Sequence, residues 1–296
     1  MEFVSAAETA KKWGVSERTV RNYCAHKKIP GAFLTGKTWN IPIDAVRPAR
    51  ANRKSDAPTT LLDYLRLEKS ENRNGGIYHK LQIELTYNSN HIEGSHLTHD
   101  QTRYIFDTNT IGIENGIVRV DDIIETTNHF RCIDRVIENA MKPLSETFLK
   151  ELHRILKSST SDFRKDWFAV GEYKRLPNEV GGIETTSPEL VGMAMRSLIR
   201  AYNAKAHITL EDLIDFHVQF ECIHPFQDGN GRVGRLILLK ECLRFDIVPF
   251  IIDEELYYYR GLKEWDREKG YLIDTCLAAQ DKFKAYLDYF RIPYRN

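Results

Sequence analysis

The sequence predicts a mainly α-helical protein: an all-helical core interrupted by one β-hairpin, preceded by a small N-terminal winged-helix domain. Three observations carry this. Leu213, Phe216, Phe220 and Ile223 are spaced three, four and three apart, and Phe148, Leu152, Ile155 and Leu156 repeat that period behind Ser145, as buried faces of helices do. The stretch from Gly171 to Thr186 breaks the pattern with Gly171, Pro177, Gly181 and Gly182, which marks a hairpin or loop. The charge is uneven. The 296 residues are neutral overall, yet residues 1–54 hold eleven Lys and Arg against four Asp and Glu, a net of +7 on an acidic remainder.

In chain order, Ser5-Ala6-Ala7-Glu8 is a capping box that opens a helix running through Trp13. Gly14 ends it, and Ser16 caps a second helix from Glu17 to Ala25 whose outer face offers Arg18, Thr19, Arg21 and Asn22. Residues 29–33 and 37–42 read as a hairpin turned at Thr35-Gly36. This arrangement resembles the small winged-helix heads of excisionase and MerR-like proteins. The resemblance implies DNA as a partner of residues 1–46, with lysines on phosphates and Arg18, Arg21 and Asn22 on base edges. Protein contact or dimerisation is the alternative use of the same basic head. Residues 47–60 lack an apolar period, contain two prolines and read as a linker to a core spanning 61–296. Within that core, segments 254–264 and 267–290 also read as helices.

The densest chemistry lies in His224-Pro225-Phe226-Gln227-Asp228-Gly229-Asn230-Gly231-Arg232-Val233-Gly234-Arg235. Gly229-Asn230-Gly231 permits the backbone angles that gather successive N–H groups into an anion nest. Leu236, Leu239 and Leu243 follow at helical spacing, so a helix dipole is expected to start at the nest. Arg232 and Arg235 lie three apart and can face one anion. Asp228 is placed to hold a divalent cation on phosphates, and His224 is the base suited to neutral pH.

This string resembles the signature of the Fic (filamentation induced by cAMP) family, H-P-F-x-D-G-N-G-R-x-x-R, at every specified position. The resemblance implies transfer of AMP from Mg-ATP to a Ser, Thr or Tyr hydroxyl of a protein, the chain itself included. In that reading His224 is catalytic, Asp228 holds Mg²⁺, and Gly229, Asn230, Gly231, Arg232, Gly234 and Arg235 bind ATP. The stretch Gly171 to Thr186 is similar to the family's flap, with Val180, Gly181, Gly182 and Ile183 at its tip, which aligns a target peptide as an added strand. Ser89-Asn90-His91-Ile92-Glu93-Gly94 is similar to the family's inhibitory pattern, in which Glu93 pairs with Arg235 and denies it to the γ-phosphate. Tyr258-Tyr259-Arg260-Gly261-Leu262 resembles the segment whose aromatic ring lines the base pocket, so Tyr258 and Tyr259 join the expected ATP site. Asp266 stands where some relatives have Asn. Two other outcomes stay open: the same site removing AMP through a water placed by Glu93, and a DNA-binding regulator that senses nucleotide.

The remaining features set bounds. Cys24, Cys132, Cys222, Cys242 and Cys276 form no CxxC pair and read as reduced core thiols of a cytoplasmic protein. No signal-peptide segment and no apolar run of membrane-spanning length is present in the sequence, so no membrane partner is expected. The target protein, any DNA site and assembly into homo-oligomers are not encoded in these patterns.

Overall fold

The computed structural model describes residues 2–48, 58–113 and 117–295, so most of the expected linker, residues 49–57, lies outside the described residues. The chain divides into two compact units, Met1–Asp56 and Ala57–Asn296.

The first unit runs β1 (Phe3–Ser5), α1 (Ala6–Trp13), α2 (Glu17–Ala25), β2 (Phe33–Thr35) and β3 (Thr38–Pro42). The Ser5 side chain accepts the Glu8 N–H while the Glu8 carboxylate accepts the Ser5 N–H at 2.8 Å, a box of the kind that contributes about 1 kcal/mol. Gly14, at φ +62°, ends α1 in the left-handed conformation. The three strands form an antiparallel sheet in the order β1-β3-β2. Two details depart from the sequence reading. β1 was not expected, because three residues are too few to show an alternating pattern. The hairpin turns at Gly36-Lys37, one residue later than anticipated, since Thr35 pairs with Thr38. Ala6, Ala10, Val20, Cys24, Ile29 and Ile41 close the small core, while Arg18, Arg21 and Asn22 all point outward.

The second unit contains α3 (Leu61–Glu71), α4 (Ile77–Ile92), α5 (His99–Thr108), α6 (Val120–Asn139), α7 (Glu146–Lys157), a 3-10 turn (Asp162–Arg164), β4 (Glu179–Val180), β5 (Ile183–Glu184), α8 (Pro188–Asn203), α9 (Leu210–Ile223), α10 (Asn230–Phe245), α11 (Glu255–Glu264) and α12 (Gly270–Phe290). α10 is its axis: every residue from Asn230 to Leu243 is buried, and α4, α6, α7 and α9 pack around it. A helix buried on all sides has no polar face to spend on water. Its charged residues must therefore find partners inside the protein. The stripe Leu213, Phe216 and Phe220 of α9 lies in this core as its spacing requires. Between β4 and β5, Gly181 and Gly182 both take positive φ, +58° and +78°, the two left-handed angles a type I′ hairpin turn needs. Cys24, Cys132, Cys242 and Cys276 are buried thiols. Cys222 is a correction: it is exposed, because it falls off the apolar stripe of α9. Among the described residues no helix is long and apolar enough to cross a membrane.

Candidate functional site

The site is built where α9 stops and α10 starts. α9 ends at His224, whose backbone takes φ +50° and whose N–H is accepted by the Phe220 carbonyl at 2.9 Å. Left-handed backbone is uncommon outside glycine, and histidine is among the residues that tolerate it. It swings the chain out of the helix and through Pro225 to Gln227. Gly229, at φ +79°, turns it back into α10. Gly229 is the one left-handed residue of the expected nest, because Asn230 and Gly231 are already helical. The Asn230 side chain, 1% exposed, ties the loop off instead of facing a ligand: its Oδ1 accepts the Phe226 N–H at 2.8 Å and its Nδ2 donates to the Phe226 carbonyl at 2.9 Å. What the helix start offers an anion is its free backbone N–H groups and the dipole behind them.

Arg232 and Arg235 are both buried and both paired. Arg235 donates Nε–H to Ser89 Oγ at 3.0 Å, and its second terminal nitrogen to the Ser89 carbonyl at 2.8 Å and Glu93 Oε1 at 2.7 Å. Glu93 caps the C-terminus of α4, and Gly94 follows at φ +82°. The Glu93 carboxylate also lies over the first turn of α10: a Cβ on Gly231 would stand 2.2 Å from Glu93 Oε1. One carboxylate thus occupies both the arginine and the N-terminal end of the helix.

Arg232 pairs with Glu125 of α6 and, at 3.2 Å, with Asp228. Lys157, the last residue of α7 and 2% exposed, joins the same group. Its Nζ lies 2.7 Å from Asp228 and 2.7 Å from Asp162, and also bonds Glu125. Glu125, Asp162 and Asp228 each offer an oxygen, all within 4.8 Å of one another, and the Lys157 ammonium bonds all three, leaving Asp228, the most exposed of them, as the one open to a divalent cation. Burial opposes the charge on Asp228, but Arg232 and Lys157 outweigh it and hold the carboxyl well below the usual carboxylate range. It is ionised at neutral pH, as a metal ligand must be.

Burial, then the nearby Lys174 ammonium, push His224 below the ordinary histidine range, so at neutral pH its imidazole is a free base. Lys174 also fastens the hairpin to the loop between α9 and α10. Its backbone N–H donates to the Pro225 carbonyl at 2.8 Å and its Nζ to Asn178 Oδ1 at 2.6 Å, while Asn178 Nδ2 donates to the Phe226 carbonyl at 3.0 Å. The hairpin is therefore anchored at its base beside His224, and Val180 is exposed at its tip.

Three expected ligand residues sit differently from their anticipated places. Tyr258 is 1% exposed and inside the core, its hydroxyl 2.7 Å from His217 Nε2, so its ring does not line an open pocket. Tyr259 is more open and donates to the Ile92 carbonyl at the end of α4. Gly234 faces α9, where a Cβ would stand 2.6 Å from Glu221 Oε1 and 2.7 Å from His217, so its smallness serves helix packing. Glu125, Lys157, Asp162, Lys174, His217 and Glu221 escaped the sequence reading. Glu125, Lys157, Asp162 and Lys174 are single charges on separate elements with no spacing pattern to join them, while His217 and Glu221 lie four apart on α9 within its apolar stripe. In the first unit Arg18, Arg21 and Asn22 are exposed on α2, and Arg21 pairs with Glu17 at 2.9 Å.

Residues 143–242 match the Fic/DOC family. Among whole proteins, the chain is 25% identical over 217 residues to protein adenylyltransferase Fic of Aedes aegypti, covering 72% of this chain and 41% of that one. It is 28% identical over 183 residues to the protein of the same name from Drosophila erecta, covering 60% and 36%. The chain thus spans well under half the length of these relatives. Of solved structures, a Fic domain containing signaling protein from Bacteroides thetaiotaomicron superposes with a TM-score of 0.57 at 27% identity, covering 77% of this chain and 90% of that one. Fic-1 of Caenorhabditis elegans superposes with a TM-score of 0.58 at 18% identity, covering 78% and 72%, a likeness of fold.

Proposed function

We propose that the body of this protein transfers AMP from ATP to a Ser, Thr or Tyr hydroxyl of a protein, and that Glu93 restrains it. The observation that carries this reading is the junction of α9 and α10, where a free-base histidine, a helix N-terminus and two arginines of one helix converge. His224 takes the hydroxyl proton as the hydroxyl oxygen bonds the α-phosphorus. The bond from that phosphorus to the β-phosphate oxygen breaks, and pyrophosphate leaves. The N–H groups at the start of α10 stabilise charge on the transferring phosphate, and Arg232 and Arg235 hold the β- and γ-phosphates. Asp228 would hold Mg²⁺, which when bound would neutralise phosphate charge. The hairpin tip, Val180 to Ile183, aligns the target segment by main-chain bonds. With Glu93 on Arg235 the γ-phosphate has no arginine, and ATP binds out of line for attack.

The test is labelling with α-labelled ATP and Mg²⁺, of the protein itself and of a cell lysate. Glu93→Gly is expected to label roughly 10²-fold faster than wild type, and Glu93→Gly with His224→Ala to lose about 10²–10⁴-fold of that. Labelling by the His224→Ala variant at an undiminished rate overturns the assignment. Release of AMP from a modified protein by wild type, abolished in Glu93→Gly, would assign the site to removal instead.

For the first unit we propose a winged helix that binds duplex DNA through α2. The net charge of +7 over residues 1–54 and the exposed Arg18, Arg21 and Asn22 support this reading. Gel-shift titration of the full chain should show binding that falls steeply with salt and weakens in an Arg18→Ala, Arg21→Ala variant. No shift on any duplex at low salt would favour a protein-contact role.

A further inference from the structure

Beneath the site, α9 carries a buried carboxyl that the reaction described above does not use. Glu221 is one turn before His224, and its Oε2 stands 3.9 Å from His224 Nδ1. Three polar atoms are buried here without a hydrogen bond of ordinary length and angle: His224 Nδ1, Glu221 Oε1 and His217 Nδ1. The Glu221 backbone carbonyl also faces the His224 ring, so a tautomer unchanged in a Glu221 side-chain variant would assign the hold to the backbone. Buried polar atoms left unsatisfied are few in folded proteins, and each calls for an explanation. The gap of 3.9 Å is too long for a hydrogen bond, but a small carboxyl rotation closes it, and contacts of this kind tighten when a site fills. The neighbourhood is shaped for the carboxyl. Gly234 lets it press against α10, since a Cβ there would come within 2.6 Å of Glu221 Oε1. His217 is held on its other side by the Tyr258 hydroxyl at 2.7 Å.

We infer that Glu221 is the positioning residue of His224: its carboxyl oxygen accepts the Nδ1–H, fixing the tautomer in which Nε2 is bare and turned to the substrate hydroxyl. When Nε2 takes the proton, the same oxygen steadies the imidazolium through Nδ1–H. Burial, with the charge of Glu93 adding to it, pushes the Glu221 carboxyl up to about 8, so at neutral pH it accepts this bond as an uncharged acid. The inference rests on His224 being the base of the proposed transfer, so its test has one arm that needs no activity. In ¹⁵N-imidazole NMR of the full chain without nucleotide, wild-type His224 should carry its proton on Nδ1, and Glu221→Met should shift it toward Nε2. Methionine is similar in size and leaves no polar atom behind. The second arm uses the Glu93→Gly background, where Glu221→Met should lower kcat by about tenfold or more, within the 10²–10⁴-fold that the base itself supplies, with KM for ATP unchanged. Gly234→Ala, which displaces the carboxyl, should give the same split if Glu221→Met does not fold. An Nε2–H tautomer in wild type, or an unchanged kcat in either variant, overturns the inference. An inactive Glu93→Gly parent with the expected NMR result would instead count against the transfer reaction.

Discussion

Arg232 and Arg235 lie three residues apart on one buried helix, and the protein treats them differently. Arg232 sits in a network with four other charges, one each from α6, α7, the 3-10 turn and the loop between α9 and α10. Arg235 has one carboxylate, supplied by the residue that caps the end of α4, together with the hydroxyl and carbonyl of Ser89. A buried ion pair gains little net stability, yet removing one partner strands the other at high cost. In the first case that cost is spread over charges that hold one another. In the second it falls on a pair beside the proposed phosphate site, where another anion can enter. The difference separates a fixture from a contact able to change partners.

The largest effect should come from the fixture. Glu125→Ala is expected to lose about 3–5 kcal/mol of stability, because it strands Arg232 and Lys157. Urea unfolding with and without Mg-ATP should show a loss that ATP does not restore. Restoration by ATP would make Glu125 a second exchangeable partner and erase the contrast. Glu93→Gly should also unfold more easily, but here ATP should return the loss, by about 2.7 kcal/mol at a hundred times Kd. Adding Arg235→Ala should remove that rescue and lower AMP transfer roughly 10²-fold. A double variant as fast as Glu93→Gly would show that freeing Arg235 is not the source of the gain. The smallest effect concerns pH. Burial and Lys174 hold His224 below 6.5, so the base form persists as pH falls. The acid limb of transfer by Glu93→Gly should lie below the ordinary histidine range. Lys174→Met removes a nearby positive charge and should move that acid limb upward. A limb that moves down, or not at all, would separate Lys174 from the base.

The contrast between the arginines also marks how far the sequence could be read. The junction of α9 and α10 was legible because its parts are local: the apolar stripe of α9, the turn-forming Gly229 and the leucines of α10 fall within a few turns of His224. The capping box at Ser5 was legible for the same reason, and the pairing of Glu93 with Arg235 was expected only through family resemblance. The boxes at Thr60, Thr98 and Thr209 follow the same rule and were overlooked: Asp63 and Asp212 are less usual at the N3 position, while Thr98 with Gln101 fits the pattern. The Arg232 network joins positions 125, 157, 162, 228 and 232 from separate elements. Nothing in the local sequence of Lys157 says that an ammonium ending an apolar stripe is buried among carboxylates. Tyr258 misled in the opposite direction: its motif suggested a ring open to nucleotide, and the packing of α11 on α12 shut it in the core.

The position of Glu93 over Gly231 has a further consequence. A carboxylate tethered in the same chain competes at a fixed effective concentration, set by the fold and indifferent to how dilute the protein becomes. Under the proposed restraint, lowering the protein concentration does not release the site. Only two events do: a polyanion abundant enough to outcompete the tether, or a displacement of the α4 terminus that moves it out of reach. The end of α4 is then a threshold, and whatever grips that helix sets its height.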